Sequence, residues 1–164
     1  MLGKNSIAIA VALVCVSCSA YAQGVYTQRN ISLNAAQEAA TAALAECRAK
    51  GFKVTVTVLD SRGGTKLIMH DDGANPHTIE NSMRKAYTSL TFRVPSGDYG
   101  KRVVASPQSA GVLHLDRVTT LEGALPIFAG KDLVGSMGIS GAPGGEKDAA
   151  CVQAGLDRIA KELN

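Results

Sequence analysis

The chain has no tryptophan, and phenylalanine and tyrosine together make up only 4% of its 164 residues. So few flat side chains leave little to stack unpaired bases on, which argues against a single-strand nucleic-acid binder. Charge is sparse as well. Charged residues are 19% of the chain, the formal charge is +3, and no dense Lys/Arg cluster occurs. That excludes the basic stripe of a DNA binder and a polybasic membrane anchor. No serine sits on a strained elbow, and no zinc spacing or paired catalytic carboxylate stands out, so the sequence assigns no catalytic residue. Repeats and low-complexity segments are missing too. What is present is apolar. At 46% hydrophobic residues, the chain is a folded globule long enough for one domain with a core.

Met1 to Ala22 reads as a secretory signal. Lys4 supplies the positive start, and Ile7 to Val16 is an apolar run too short to span a bilayer. Ala20-Tyr21-Ala22 fits the small-x-small rule, which puts cleavage before Gln23. An uncleaved anchor and lipid attachment at Cys18 are the competing readings. Cleavage leaves no stable membrane anchor and implies a periplasmic or secreted protein. It also removes Cys15 and Cys18, whose spacing is no haem-attachment motif because Ser19 follows. Cys47 and Cys151 remain. An oxidising compartment permits a bridge between them, closing a loop of about a hundred residues. Two small thiols within helix packing are the alternative.

Residues 23–30 read as a loose polar arm, and residues 31–164 as a single domain. Ser32 is a good N-cap for a helix over 33–50, and Gly51 stops it. Val54, Val56 and Val58 alternate with Thr55, Thr57 and Leu59, the pattern of a strand over 53–60. The turn Ser61 to Gly64 returns the chain as a strand over 65–70. Asn75 and Pro76 start a second helix, 76–92, whose apolar stripe is Ile79, Met83, Ala86 and Leu90. Pro95 ends it. Residues 96–108 read as a short helix and loop with Tyr99, Lys101 and Arg102 exposed. Near the C-terminus, Leu125 to Phe128 and Leu133 to Ser140 form a hairpin about Gly130. A glycine-rich turn, Gly141-Ala142-Pro143-Gly144-Gly145, follows. The stripe Val152, Leu156, Ile159 and Leu163 then marks a helix over 146–163. Two hairpins imply an antiparallel sheet with helices packed on it, an α+β fold.

The segments LPI, VGSMGISGAPGGEKDAAC and AGL, with VLDSRGG, DDGA and KAYTSLTF upstream, resemble the GlcG/HbpS-like family of small haem-binding or haem-degrading proteins. The likeness runs from about residue 31 to 163. It implies profilin-like layers of helix and sheet, a small-molecule ligand, haem as cofactor and a homo-oligomer.

A haem site needs an iron ligand, an apolar slot and cations for the propionates. His77, at the start of the second helix, is the first candidate ligand; His70 and His114 are the others. Met69 and Met83 read as core. His77 and Glu80 share a helix shoulder and could hold iron or another divalent ion with a third donor from elsewhere. Arg84, Lys85 and Arg93 could pair with propionates or a small carboxylate, and the resemblance raises Lys85 among them. The turn holding Gly141 and Gly144 precedes a helix, so its amides could hold an anion; the resemblance implies that it lines the pocket. Each of these residues also has a plain reading as a solvated helix charge or a tight turn. Two functions follow. One is a secreted haem-binding protein, with haem breakdown or haem/iron sensing as its use. The other is a non-enzymatic module for a small organic acid or a corrinoid-like cofactor.

Overall fold

In a computed structural model, which describes residues 24–163, the chain folds as three layers. Four antiparallel strands lie in the order β2-β1-β4-β3, where β1 is Thr55–Asp60, β2 Thr65–His70, β3 Ala124–Ala129 and β4 Asp132–Ser140. The expected signal, Met1 to Ala22, falls outside the described residues. Helices α1 (Leu33–Ala49) and α4 (Gly145–Ile159) cover one face of the sheet, and α2 (His77–Phe92) covers the other. A short helix α3 (Ser96–Ala105) and a 3-10 stretch, Pro107–His114, bridge α2 to β3.

The alternation in β1 decides the layering. Val54, Val56 and Val58 point to α1 and α4 and join Met137, Ile139, Ile127, Val152 and Ile159 in the main core. The helices above it touch closely. Alanines of α1 meet Gly155 of α4, where a Cβ would come 2.8 Å from the Ala43 methyl. Cys47 and Cys151 are joined across this contact, with Cα atoms 5.6 Å apart. Ser32 caps α1 by accepting from the Ala35 amide at 3.1 Å.

The opposite face is built from Thr55, Thr57, Ser136, Gly138 and Ser140, and α2 lies on it through Thr78, Ser82, Lys85, Ala86 and Ser89. Two hydroxyl pairs join helix to strand, Thr55 with Thr78 at 2.6 Å and Thr57 with Ser82 at 2.7 Å. Ser136 donates to the Ala86 carbonyl at 2.8 Å. Gly138 has no side chain, and a Cβ there would collide with the Ser82 carbonyl and lie 2.7 Å from the Ala86 amide.

Two expectations change here. The stripe of α2 is rotated: Ala86 and Leu90 are buried, but Ile79 is 39% exposed and Met83 only half-buried. The buried face carries hydroxyls because the sheet beneath it offers hydroxyl partners. Tyr99 is buried rather than exposed, stacked on Phe92 with ring centroids 3.7 Å apart. The arm over 24–30 has no regular structure, and at its end Arg29 pairs with Asp132 at 3.0 Å while the Ile31 amide donates to the Val134 carbonyl.

Candidate functional site

A cleft of about 290 Å³ opens where the first half of α2 meets the end of β4 and the glycine-rich turn. His77, Asn81 and Lys85 line it from α2, Glu122 from the segment before β3, and Gly141, Gly144 and Asp148 from the turn and the first turn of α4. Four of the residues predicted from sequence, His77, Lys85, Gly141 and Gly144, therefore come together. Arg84 and Glu80 do not line the cleft. They pair with each other at 2.8 Å on the outer side of α2. Arg93, in the left-handed conformation that ends α2, lies at another cleft beside Lys131 and Asp132.

Lys85 is the base of the cleft and is only 3% exposed. Its ammonium donates to Asp148 at 2.7 Å and to the Ile139 carbonyl at 3.1 Å. The other Asp148 oxygen accepts from the Ala142 amide at 3.0 Å, which ties the glycine-rich turn to the pair. Gly123 closes over this ion pair at φ +129°; a Cβ there would lie 2.8 Å from both the Lys85 Nζ and the Asp148 Cβ. Burial pushes the Asp148 carboxyl above its ordinary value, against the opposing pull of Lys85 and of the Ala142 amide. The Lys85 charge is thus already matched inside the protein. A ligand entering the cleft meets Asn81 and the remaining ammonium proton, not a free cation.

Sequence reasoning missed Asp148, Asn81 and Glu122. Asp148 left one signal, an acidic residue in the first turn of a helix. Nothing in the chain announces its pairing with Lys85, sixty-three positions away.

The three histidines are all exposed. His77 stands on the cleft rim. His70 closes β2 opposite Thr55, whose hydroxyl lies 2.7 Å from its Nδ1. His114 ends the 3-10 stretch. His77 and Glu80 gain no third donor: among the described residues, no group of three or more His, Cys, Asp or Glu side chains could hold a metal ion.

Comparison with known proteins matches residues 31–157 to the model of the HbpS-like family, described as haem-degrading protein HbpS-like. A solved structure of a double mutant of Streptomyces reticuli HbpS is 29% identical. It superposes with a TM-score of 0.78 over 91% of this chain and 97% of that one. A PduOC:heme complex shares the fold at 22% identity and a TM-score of 0.73, covering 79% of this chain and 95% of that one. An uncharacterised 15.0 kDa protein of Citrobacter freundii is 28% identical over 129 residues, which is 77% of this chain and 90% of that protein.

Proposed function

The chain belongs to the HbpS-like family of haem-degrading proteins, and from that premise we propose that it binds haem outside the cytoplasm, as a homo-oligomer. One observation carries the reading: two exposed imidazoles, His70 and His77, flank the N-terminal half of α2. Histidine is a common axial ligand for haem iron. Bound haem would bring its own redox and oxygen chemistry, the basis of breakdown or iron sensing; the protein would supply the donor and the surroundings. The signal-like Met1 to Ala22 supports export, and the Cys47–Cys151 bridge suits an oxidising compartment.

The fit of a macrocycle differs between the two flanks of α2. The His77 cleft is small and polar: Asn75, Asn81, Glu122 and the Lys85–Asp148 pair surround it, and Leu121 is its one large apolar lining residue. It suits a carboxylate edge or a propionate better than a porphyrin face. The flank beside His70 exposes Ile68 and Ile79. A hemin titration of residues 23–164, followed by absorbance, tests the reading. A saturable shift of the Soret band at one hemin per site is the expected result; its absence would remove the haem function.

A second reading rests on the polar cleft itself. The Lys85 ammonium and the Asn81 side-chain amide line it beside the glycine-rich turn, an arrangement suited to a small organic acid. Thermal protection by a small carboxylate, without any Soret change on hemin addition, would favour it.

A further inference from the structure

The His70 imidazole is tied into a chain of hydroxyls whose protons can be counted. Thr78 Oγ1 donates to the Asn75 carbonyl at 2.6 Å. Thr55 Oγ1 lies 2.6 Å from Thr78 Oγ1 and 2.7 Å from His70 Nδ1. A carbonyl only accepts, and each hydroxyl has one proton. The Thr78 proton is on the Asn75 carbonyl, so the Thr55 proton must go to Thr78. Thr55 then turns a lone pair to His70, and the ring must donate from Nδ1. The neutral imidazole is therefore held with its proton on Nδ1 and its free lone pair on Nε2. The neighbouring pair runs in the same order: Ser82 donates to the Ile79 carbonyl at 3.0 Å, leaving Thr57 to donate to Ser82.

This is how metal-binding histidines are prepared. One ring N–H is held by an acceptor, which fixes the tautomer and aims the other nitrogen. The surroundings complete the case. Ile68 and His70 are two residues apart on β2, opposite Thr57 and Thr55, so both stand on the α2 side of the sheet. Asn81 and Lys85 reach from α2 toward β4, to Ser140 and the Ile139 carbonyl. The opposite flank of the helix, which carries Ile79 and Met83, therefore faces β2. Ile68 is 38% exposed and Ile79 39% exposed, with Met83 half-buried one turn along α2 from Ile79.

The geometry points to His70, through Nε2, as the axial ligand of the haem iron, with Ile68, Ile79 and Met83 as the apolar wall. This rests on the haem reading above and places the ligand on the flank of α2 away from His77 and the polar cleft. The macrocycle and its iron need a strong donor and an apolar surface, and this flank offers both.

Hemin titrations of the wild type, His70→Ala, His77→Ala and Thr55→Val test the assignment, with a long-range proton–nitrogen NMR spectrum of the hemin-free protein. The spectrum should show His70 protonated at Nδ1. His77→Ala should keep the Soret position of the wild type. His70→Ala should lose the ligated band and regain it on adding imidazole, which separates loss of the ligand from loss of fold. Thr55→Val, which removes the acceptor of the His70 Nδ1–H together with the hydroxyl's bond to Thr78, should weaken hemin binding by roughly 10-fold or more, as losses of such supporting hydrogen bonds do. A ligated band retained by His70→Ala, or a ring protonated at Nε2 in the hemin-free protein, would overturn the assignment while leaving haem binding standing. No saturable shift in the wild type would overturn both.

Discussion

The two faces of the sheet are built on different physics. Toward α1 and α4 the strands present Val54, Val56, Val58, Met137 and Ile139, and the layer is held by buried apolar area and one disulfide. Toward α2 they present hydroxyls, a glycine and Leu59, and the layer is held by directional hydrogen bonds beside a small apolar contact of Leu59 with Ala86 and Leu90. The apolar layer tolerates change through repacking, because hydrophobic contact has little direction. The polar layer does not, since each group left unpaired there bears its full desolvation cost. Both surfaces that offer ligand chemistry, the polar cleft and the His70 flank, adjoin the polar layer.

The largest expected effect lies at the base of the cleft. Lys85→Met would leave Asp148 buried without its counter-charge and should cost about 3–5 kcal/mol of unfolding free energy in urea. The sign of its pH dependence follows from Asp148. Its folded value already stands above the ordinary one, so the native state holds its proton more tightly than the unfolded chain. That favours the fold below the unfolded value and fades as pH rises through the folded one. Without Lys85 the folded value rises further, so the deficit of the variant should be small near pH 4 and grow toward neutrality. Replacing both members, Lys85→Met with Asp148→Leu, should recover most of the loss. A double variant no better than the single one would mean that the pair organises the turn rather than merely neutralising itself.

Next comes the bridge on the apolar side. Cys47→Ala with Cys151→Ala opens a closure spanning 104 positions and should cost about 2–5 kcal/mol. The helices should stay docked, because the alanine and glycine contact between α1 and α4 does not depend on the bond. Near-ultraviolet dichroism unchanged below the new midpoint would bear this out; loss of tertiary signal in native buffer would show that the apolar face needs its covalent link. Gly138→Ala probes the polar face by steric means alone. The added methyl meets helix backbone, not a flexible side chain, so α2 must lift from β4 at a cost of about 1–3 kcal/mol. Its circular dichroism should be native while its urea midpoint falls.

These layers were legible in the sequence to different degrees. The valine–threonine alternation of β1 and the glycine turns after β1 and β3 mark both hairpins, because strand period and turn chemistry are local properties. The helix over 33–50 is legible through Ser32 and Gly51. The orientation of α2 is not. A helix face of Thr78, Ser82 and Ser89 looks solvated when read alone, and it becomes buried only because Thr55, Thr57 and Ser136 meet it from elsewhere in the chain. Periodicity counts apolar side chains, so it placed Ile79 and Met83 inward and missed a face whose polar groups are satisfied in pairs. Tyr99 escaped for a similar reason, since the Phe92 ring that covers it lies beyond the break at Pro95. In the cleft, His77, Lys85, Gly141 and Gly144 were found through helix position and turn composition, whereas Asp148 entered through a long-range pairing that no local pattern encodes.

The smallest expected effect gives the finest comparison. Thr57→Val keeps the shape of the strand residue and removes its hydroxyl from the pair with Ser82. Ser82 still donates to the Ile79 carbonyl, so no donor is orphaned, and the loss should be only about 1 kcal/mol. Thr55→Val removes an equivalent hydroxyl from the same face of the strand, and its stability cost should be similar. The two differ in what lies outward. Beyond Thr57 on β2 stands Ile68, which asks nothing of a hydroxyl; beyond Thr55 stands His70, whose ring is left without its acceptor. Matched urea midpoints, with hemin affinity reduced only in Thr55→Val, would separate the structural work of the hydroxyl ladder from its work on the imidazole. Equal hemin affinities in the two variants would reduce both threonines to packing.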